Sequence, residues 1–162
     1  EARRLMSAAK RGSAAALAEI RSIVRGIQPP VRADRGLVSA LQTLAASSPL
    51  DVKVVSELNH RLVPALESAL YFAAAELLTN ATRHSGADWV GIEVVSQTGY
   101  VAVIVTDDGF GGVHLPDLNG TGGLSGLQRR LAPFDARLLI DSPPGGPTVA
   151  TVLAPDRRMP RA

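Results

Sequence analysis

Glu76, Asn80 and Arg83 stand four and three residues apart, and His84 follows directly. At helical spacing the first three share one stripe, and a carboxylate, an amide and a cation placed so are the parts needed to hold a metal–phosphate group. The plain alternative is a polar helix edge held by its own i,i+3 and i,i+4 pairs. Downstream, Asp107-Asp108-Gly109-Phe110-Gly111 sets a carboxylate ahead of two glycines that let backbone approach a ligand. Once buried, that carboxylate accepts a hydrogen bond from an exocyclic amine such as that of adenine. An ordinary Asp-Gly turn is the competing reading. Gly122-Gly123-Leu124-Ser125-Gly126 opens a further helix, where unpaired N–H groups and the helix dipole favour phosphate; a loop with a helix cap would look the same.

These groups need elements to position them. From Leu66 the apolar residues Leu66, Ala69, Leu70, Ala73, Leu77 and Ala81 recur at steps of three and four, the buried face of a helix. Pro64 suits its first turn, and Ser85-Gly86 turns the chain. Residues 89–95 and 100–106 are rich in β-branched types around Thr98-Gly99 and predict a hairpin that runs straight into Asp107. A short strand over 52–55, a helix over about 124–132 and strands over 136–141 and 148–153 complete a mixed, mostly antiparallel sheet with helices on one face, a two-layer α/β sandwich.

The N-terminal stretch reads differently. Ala2, Met6, Ala9, Ser13, Ala16, Ile20, Ile23 and Ile27 alternate steps of four and three, a heptad seam expected of a helix packed along another. A terminal helix docked on its own domain is the alternative. Pro29-Pro30 ends it, and a second short helix follows with Asp34 as N-cap and Leu37, Leu41 and Leu44 on its inner face.

At 162 residues the chain can bury one good core and carry an appended helix. The absence of Cys excludes disulfides and thiolate metal sites and fits a reducing compartment. A net charge of +2 gives no argument for nucleic acid. No apolar run reaches spanning length and no signal peptide is visible, so no membrane contact is expected of this piece. The start at Glu1, already within a helical pattern, marks the chain as part of a longer protein.

Taken in order, Glu76-x-x-x-Asn80-Ala81-x-Arg83-His84, Asp107-x-Gly109-x-Gly111, Gly123-Leu124-x-Gly126-Leu127 and Pro144-Gly145-Gly146-x-Thr148 resemble the nucleotide-binding boxes of the histidine-kinase ATP-binding domain, of the Bergerat (GHKL) fold. Their spacing is similar to that of the NarL/DesK-like sensor kinases, and 18–29 with 35–41 resemble the end of that family's dimerisation helix and its connector. The resemblance implies ATP and Mg²⁺ as cofactors, with Asn80 on the metal, Glu76 near the transferred phosphoryl, and Arg83 and His84 on phosphate. It implies Asp107 as acceptor of the adenine amine in a pocket shaped by Gly109 and Gly111. Gly123, Leu124 and Gly126 would bring the helix start to phosphate, and Thr148 would support the adenine end. His84 also reads as a plain C-terminal helix cation, whereas His114 reads as solvated and His60 as surface.

The division implied is 1–29 as the trailing part of a dimerisation helix, 30–155 as the ATP-binding domain and 156–162 as a tail. The implied reaction moves the ATP γ-phosphoryl to a His on a dimerisation helix that this chain lacks, then to the receiver domain of a response regulator. The whole protein is expected to be a cytoplasmic homodimer, with membrane anchorage of the parent left open. Two departures stand out: Asp108 where the family often has Asn, and Thr121 where a Gly is expected. An anti-sigma-type serine kinase of the same fold, and a nucleotide-sensing scaffold without transfer, are the alternatives. Transfer to a supplied dimer-helix fragment separates the scaffold from a kinase.

Overall fold

A computed structural model of the chain describes residues 36–114 and 123–159. The heptad stretch, the Pro29-Pro30 break, Asp34, Thr121 and the last three residues lie outside the described residues. Within them the order is α1 (Gly36–Ala46), β1 (Asp51–Ser56), α2 (Pro64–Asn80), a π-helical turn (Ala81–Ser85), β2 (Trp89–Gln97), β3 (Tyr100–Asp107), α3 (Gly123–Leu131), a 3-10 turn (Ala132–Phe134), β4 (Arg137–Asp141) and β5 (Thr148–Pro155).

The strands form one sheet in the order β1-β2-β3-β5-β4. β1 pairs with β2 in parallel, which requires the crossover that α2 supplies. The other pairs are antiparallel. Gln97 faces Tyr100 across the two-residue turn Thr98-Gly99, and the +85° φ of Gly99 is the left-handed conformation such a turn demands. The expected α/β sandwich is the observed architecture, with strand ends within two residues of those read from alternation.

The core lies between the sheet and the helices. Val90, Ile92 and Val94 of β2 and Val101, Val103 and Val105 of β3 point inward onto Leu66, Leu70, Ala73 and Leu77 of α2. Leu37 and Leu41 of α1 and Leu127 and Leu131 of α3 close the two ends of this layer. Each such side chain, taken fully from water, stabilises the fold by about 1.5–3 kcal/mol before entropy is charged against it. The buried face of α2 is wider than the heptad-like steps imply. Ala74 and Leu78 are also buried, because α2 packs on the sheet with one flank and faces α1 with another. Ala69, expected on that face, is only half-buried.

Two polar features depart from expectation. Glu67, 1% exposed on α2, accepts from Arg61 Nε and Nη2, both at 2.8 Å, and from the Leu62 N–H at 3.2 Å. Those three donors compensate the burial of its charge. His60 is not a solvated surface residue: its Nε2 lies 2.9 Å from Asp156 Oδ1, whose other oxygen accepts from Arg158 Nε. Burial alone would raise the Asp156 pKa, but the His60 and Arg158 hydrogen bonds and charges outweigh it and hold the carboxyl below its ordinary value. The backbone follows suit. Val63 N donates to Arg157 O at 2.8 Å and Met159 N to Arg61 O at 3.0 Å, so 156–159 is knit to the loop that leads into α2.

Candidate functional site

A cavity of about 210 Å³ opens between the C-terminal end of α2 and the sheet. Leu77, Asn80, Ala81, His84 and Ser85 form the helix wall. Val105 and Asp107 of β3 form the floor with Thr148 and Ala150 of β5 and Ile140 of β4. Gly111, Val113, Gly123 and Leu124 form the rim. The register explains why these groups meet. Asp107 is the last residue of β3 and lies opposite Thr148, the first of β5, so both motif residues fall on one edge of the sheet.

Asp107 is buried, 7% exposed, and its Oδ1 accepts from the Gly109 N–H at 2.9 Å. Burial raises its pKa above the ordinary value; the Gly109 N–H and the Ser85 hydroxyl oppose that, and the neighbouring Asp108 charge adds to it. A carboxylate held this way is short of donors, and an N–H arriving from the cavity would satisfy it. Asp108 points elsewhere. Its Oδ1 accepts from the N–H groups of Asp88 and Trp89, both at 3.0 Å, and pins the loop that leads into β2.

The glycines are needed because backbone crowds the floor. A Cβ on Gly109 would collide with the Ser85 carbonyl and lie 2.7 Å from Asp107 Oδ1. Gly111 has φ +63°, and a Cβ there would run into Pro143 O. The two loops are stitched together by Gly145 N to Phe110 O at 2.8 Å and Gly112 N to Ser142 O at 3.0 Å. Phe110 N donates to Ser85 O at 3.0 Å and ties the same loop to the end of the π turn. Thr148 Oγ1 shares a 2.9 Å hydrogen bond with Ser142 Oγ, which also accepts from Val113 N at 3.0 Å. Ser85 and Ser142 were not singled out in the sequence. Both are buried, and both act through backbone groups that no spacing rule exposes.

The polar stripe on α2 comes apart at its end. Asn80 and His84 line the cavity, but Arg83 does not: it is exposed in a separate groove with Ser47, Pro49, Thr79 and Thr82. The cause is the π turn over 81–85, whose wider winding carries residue 84, not 83, onto the face of Asn80. Glu76 lies one turn earlier, half-buried outside the cavity lining, and a Cβ on Gly123 would collide with its Oε1. Its carboxyl is therefore against the start of α3. Gly126 sits one turn into α3, away from the lining, with open space where a Cβ would project. His114 is exposed, as expected.

Among the described residues no three His, Cys, Asp or Glu side chains cluster to hold a metal ion. Asn80 offers one amide oxygen, which fits Mg²⁺ held chiefly by substrate phosphates and water rather than by a protein cage. No described helix is long and apolar enough to cross a membrane.

No family model matches the chain. Among curated proteins it is 32% identical over 146 residues to the sensor histidine kinase MctS of Rhizobium johnstonii, covering 85% of this chain and 32% of that protein. It is 24% identical over 144 residues to the signal transduction histidine-protein kinase/phosphatase DegS of Brevibacillus brevis, covering 86% and 37%. The chain thus spans about a third of the length of these relatives. Among solved structures it is similar to the blue-light activated histidine kinase EL346 of Erythrobacter litoralis, with TM-score 0.65, 20% identity and coverage of 75% and 42%. It is also similar to the mycobacterial sensor histidine kinase MprB, with TM-score 0.54, 18% identity and coverage of 76% and 95%. The fold is that found in histidine kinases, and the sequence relatives are sensor histidine kinases.

Proposed function

We propose that this chain is the ATP-binding catalytic portion of a sensor histidine kinase of the NarL/DesK-like kind. The observation that carries the reading is Asp107: a buried carboxylate, donor-poor on its cavity side, at the floor of a recess with Asn80 on the opposite wall. A cavity of this size takes a planar base, not a whole nucleotide, since complete ligand sites run to roughly 300–1,000 Å³. Asp107 then accepts from the adenine amine, while guanine would bring an acceptor to the same place and be refused. Thr148 and Gly111 border the base, and Gly109 allows the loop to lie this close to Ser85.

Toward the phosphates, Asn80 would hold Mg²⁺ through its amide oxygen, and the ion would supply charge neutralisation between phosphate oxygens. His84 lies on the same wall and Glu76 against the start of α3, whose Gly123 and Leu124 N–H groups favour an anion. Arg83 has no part in this site on the geometry. Phosphoryl transfer asks the protein mainly for positioning and charge, which this set can offer. In the whole protein the γ-phosphoryl leaves ADP for the imidazole nitrogen of a His on a dimerisation helix, and then passes to the receiver Asp of a response regulator. Residues 1–29 would belong to the dimerisation element of a cytoplasmic homodimeric region.

Calorimetric titration with ATP, with and without Mg²⁺ and beside a GTP control, tests the reading. Mg²⁺-enhanced binding of ATP but not GTP, reduced in Asn80→Asp with the fold kept, is expected. A folded chain that ignores ATP would refute it. Binding without transfer to a supplied dimer-helix fragment would favour a nucleotide-sensing scaffold instead.

A further inference from the structure

The face of the sheet turned away from the helices has an unusual composition for a solvated surface. Antiparallel sheets with one wet face put polar residues outward. Here β3 turns Ala102 and Ile104 out, β5 turns Val149 and Leu153, and Val55 and Leu139 on the two edge strands are about half exposed. A contiguous apolar band of this kind marks an interaction surface.

The register of the five strands says what fits it. One row across the face runs Lys53, Gly91, Thr106, Val149, Asp141. The next runs Val55, Glu93, Ile104, Thr151, Leu139. In the third, Val95, Ala102, Leu153 and Arg137 follow one another, and Glu57 extends the β1 edge beside Val95 through its N–H to Val94 O at 2.8 Å. The β1 edge thus reads Lys, Val, Glu where the β4 edge reads Asp, Leu, Arg. β3 is the middle strand of the five.

We propose that this face docks a second copy of the chain, sheet on sheet, about a two-fold axis running along β3. That rotation lays β1 over the β4 of the other copy, and β2 over its β5, with every row kept level. Lys53 then meets Asp141, Val55 meets Leu139 and Glu57 meets Arg137, each contact made twice. In the middle Ile104 packs on its own counterpart and Val95 on Leu153, while Glu93 lies opposite the Thr151 hydroxyl, a donor for its carboxylate. Such self-complementarity is what a closed two-fold interface requires, and aligned packing of twisted sheets is a standard geometry. Among the described residues, none of Lys53, Glu57, Arg137 and Asp141 has an ion-pair partner in its own chain. Any other rigid placement sets like charge on like at one edge or leaves the apolar rows uncovered. The contact is separate from the cavity and independent of its ligand.

The absence of native Cys makes the test direct. Val55→Cys and Leu139→Cys are made in separate full chains, mixed in equal amounts and oxidised gently. The expected product is the 55–139 heterodimer, in clear excess over both homodimers and over the statistical mixture. Lys53→Glu in both partners should cut its yield about tenfold, because two attractive pairs become repulsive. Adding Asp141→Lys to those chains should restore it. No cross-link, a statistical mixture, or preference for 55–55 or 139–139 homodimers would overturn the proposal. Failure of the charge swap to restore the product would overturn it equally.

Discussion

Replacing Asp107 with Asn should move stability and ligand binding in opposite directions. Asn is nearly isosteric and its Oδ1 can still accept from the Gly109 N–H, so the floor of the cavity should keep its shape. The carboxylate, 7% exposed, has its pKa raised chiefly by burial. A folded-state pKa above the unfolded value means that the folded protein disfavours the charged form at neutral pH, and that the penalty is relieved as pH falls toward the raised value. Asn removes the penalty outright. The variant should therefore melt at or above the wild-type temperature at neutral pH, with the gap closing under mildly acid conditions. Binding goes the other way, because a hydrogen bond from a ligand amine to a charged acceptor is lost and the new amide N–H₂ can face that amine donor to donor. At about 1.5–3 kcal/mol for a hydrogen bond to a charged group, ATP affinity should fall roughly 10- to 150-fold. Wild-type affinity should likewise weaken on acidification, starting above the ordinary carboxylate range, as Asp107 takes up its proton. Differential scanning calorimetry and isothermal titration at neutral and mildly acid pH measure both arms. An Asn variant that is less stable yet binds ATP normally would refute the reasoning, since it would make Asp107 a structural anchor and not a ligand acceptor.

Other consequences are simpler. Arg83→Ala should leave ATP affinity within about twofold, whereas His84→Ala, on the cavity wall, should weaken it measurably by titration. Gly109→Ala should cost about 1–3 kcal/mol in urea unfolding, because its Cβ must displace the Ser85 backbone, and should weaken ATP as the Asp107 loop lifts. Glu67→Gln should destabilise by about 2–3 kcal/mol in the same assay, below the full cost of a broken buried pair because Arg61 can partly rehydrate.

How much of this was readable beforehand follows the range of the forces involved. Alternating β-branched residues announced β2, β3 and β5, and Pro64 with its three- and four-residue steps announced α2, since these are local signals. Asp107 and Thr148 were picked from their motifs, and the strand pairing that sets them side by side follows the expected sheet. Arg83 was misplaced for a definite reason: a spacing argument assumes unbroken α-helical winding, and one π turn rotates everything after Asn80. The Glu67–Arg61 and His60–Asp156 pairs were invisible because a charge on an otherwise apolar stripe gives no hint of its partner, which in the second case comes from the far end of the domain. The outer sheet face escaped notice too. Its two edges become comparable only once the strand order is known.

The knitting of 156–159 to the loop before α2 has a dynamic side. Val63 N–H, a donor to Arg157 O, is also next to the first turn of α2, where Leu66 and Glu67 both donate to Val63 O. The exit from β5 and the beginning of α2 therefore exchange their amide protons as one unit. Opening either exposes the other, and protection against solvent hydrogen should rise and fall together at Val63, Leu66 and Met159. A boundary drawn after residue 155 would cut through that unit, and the loosened end of the domain would be the start of the helix that carries Asn80 to the cavity.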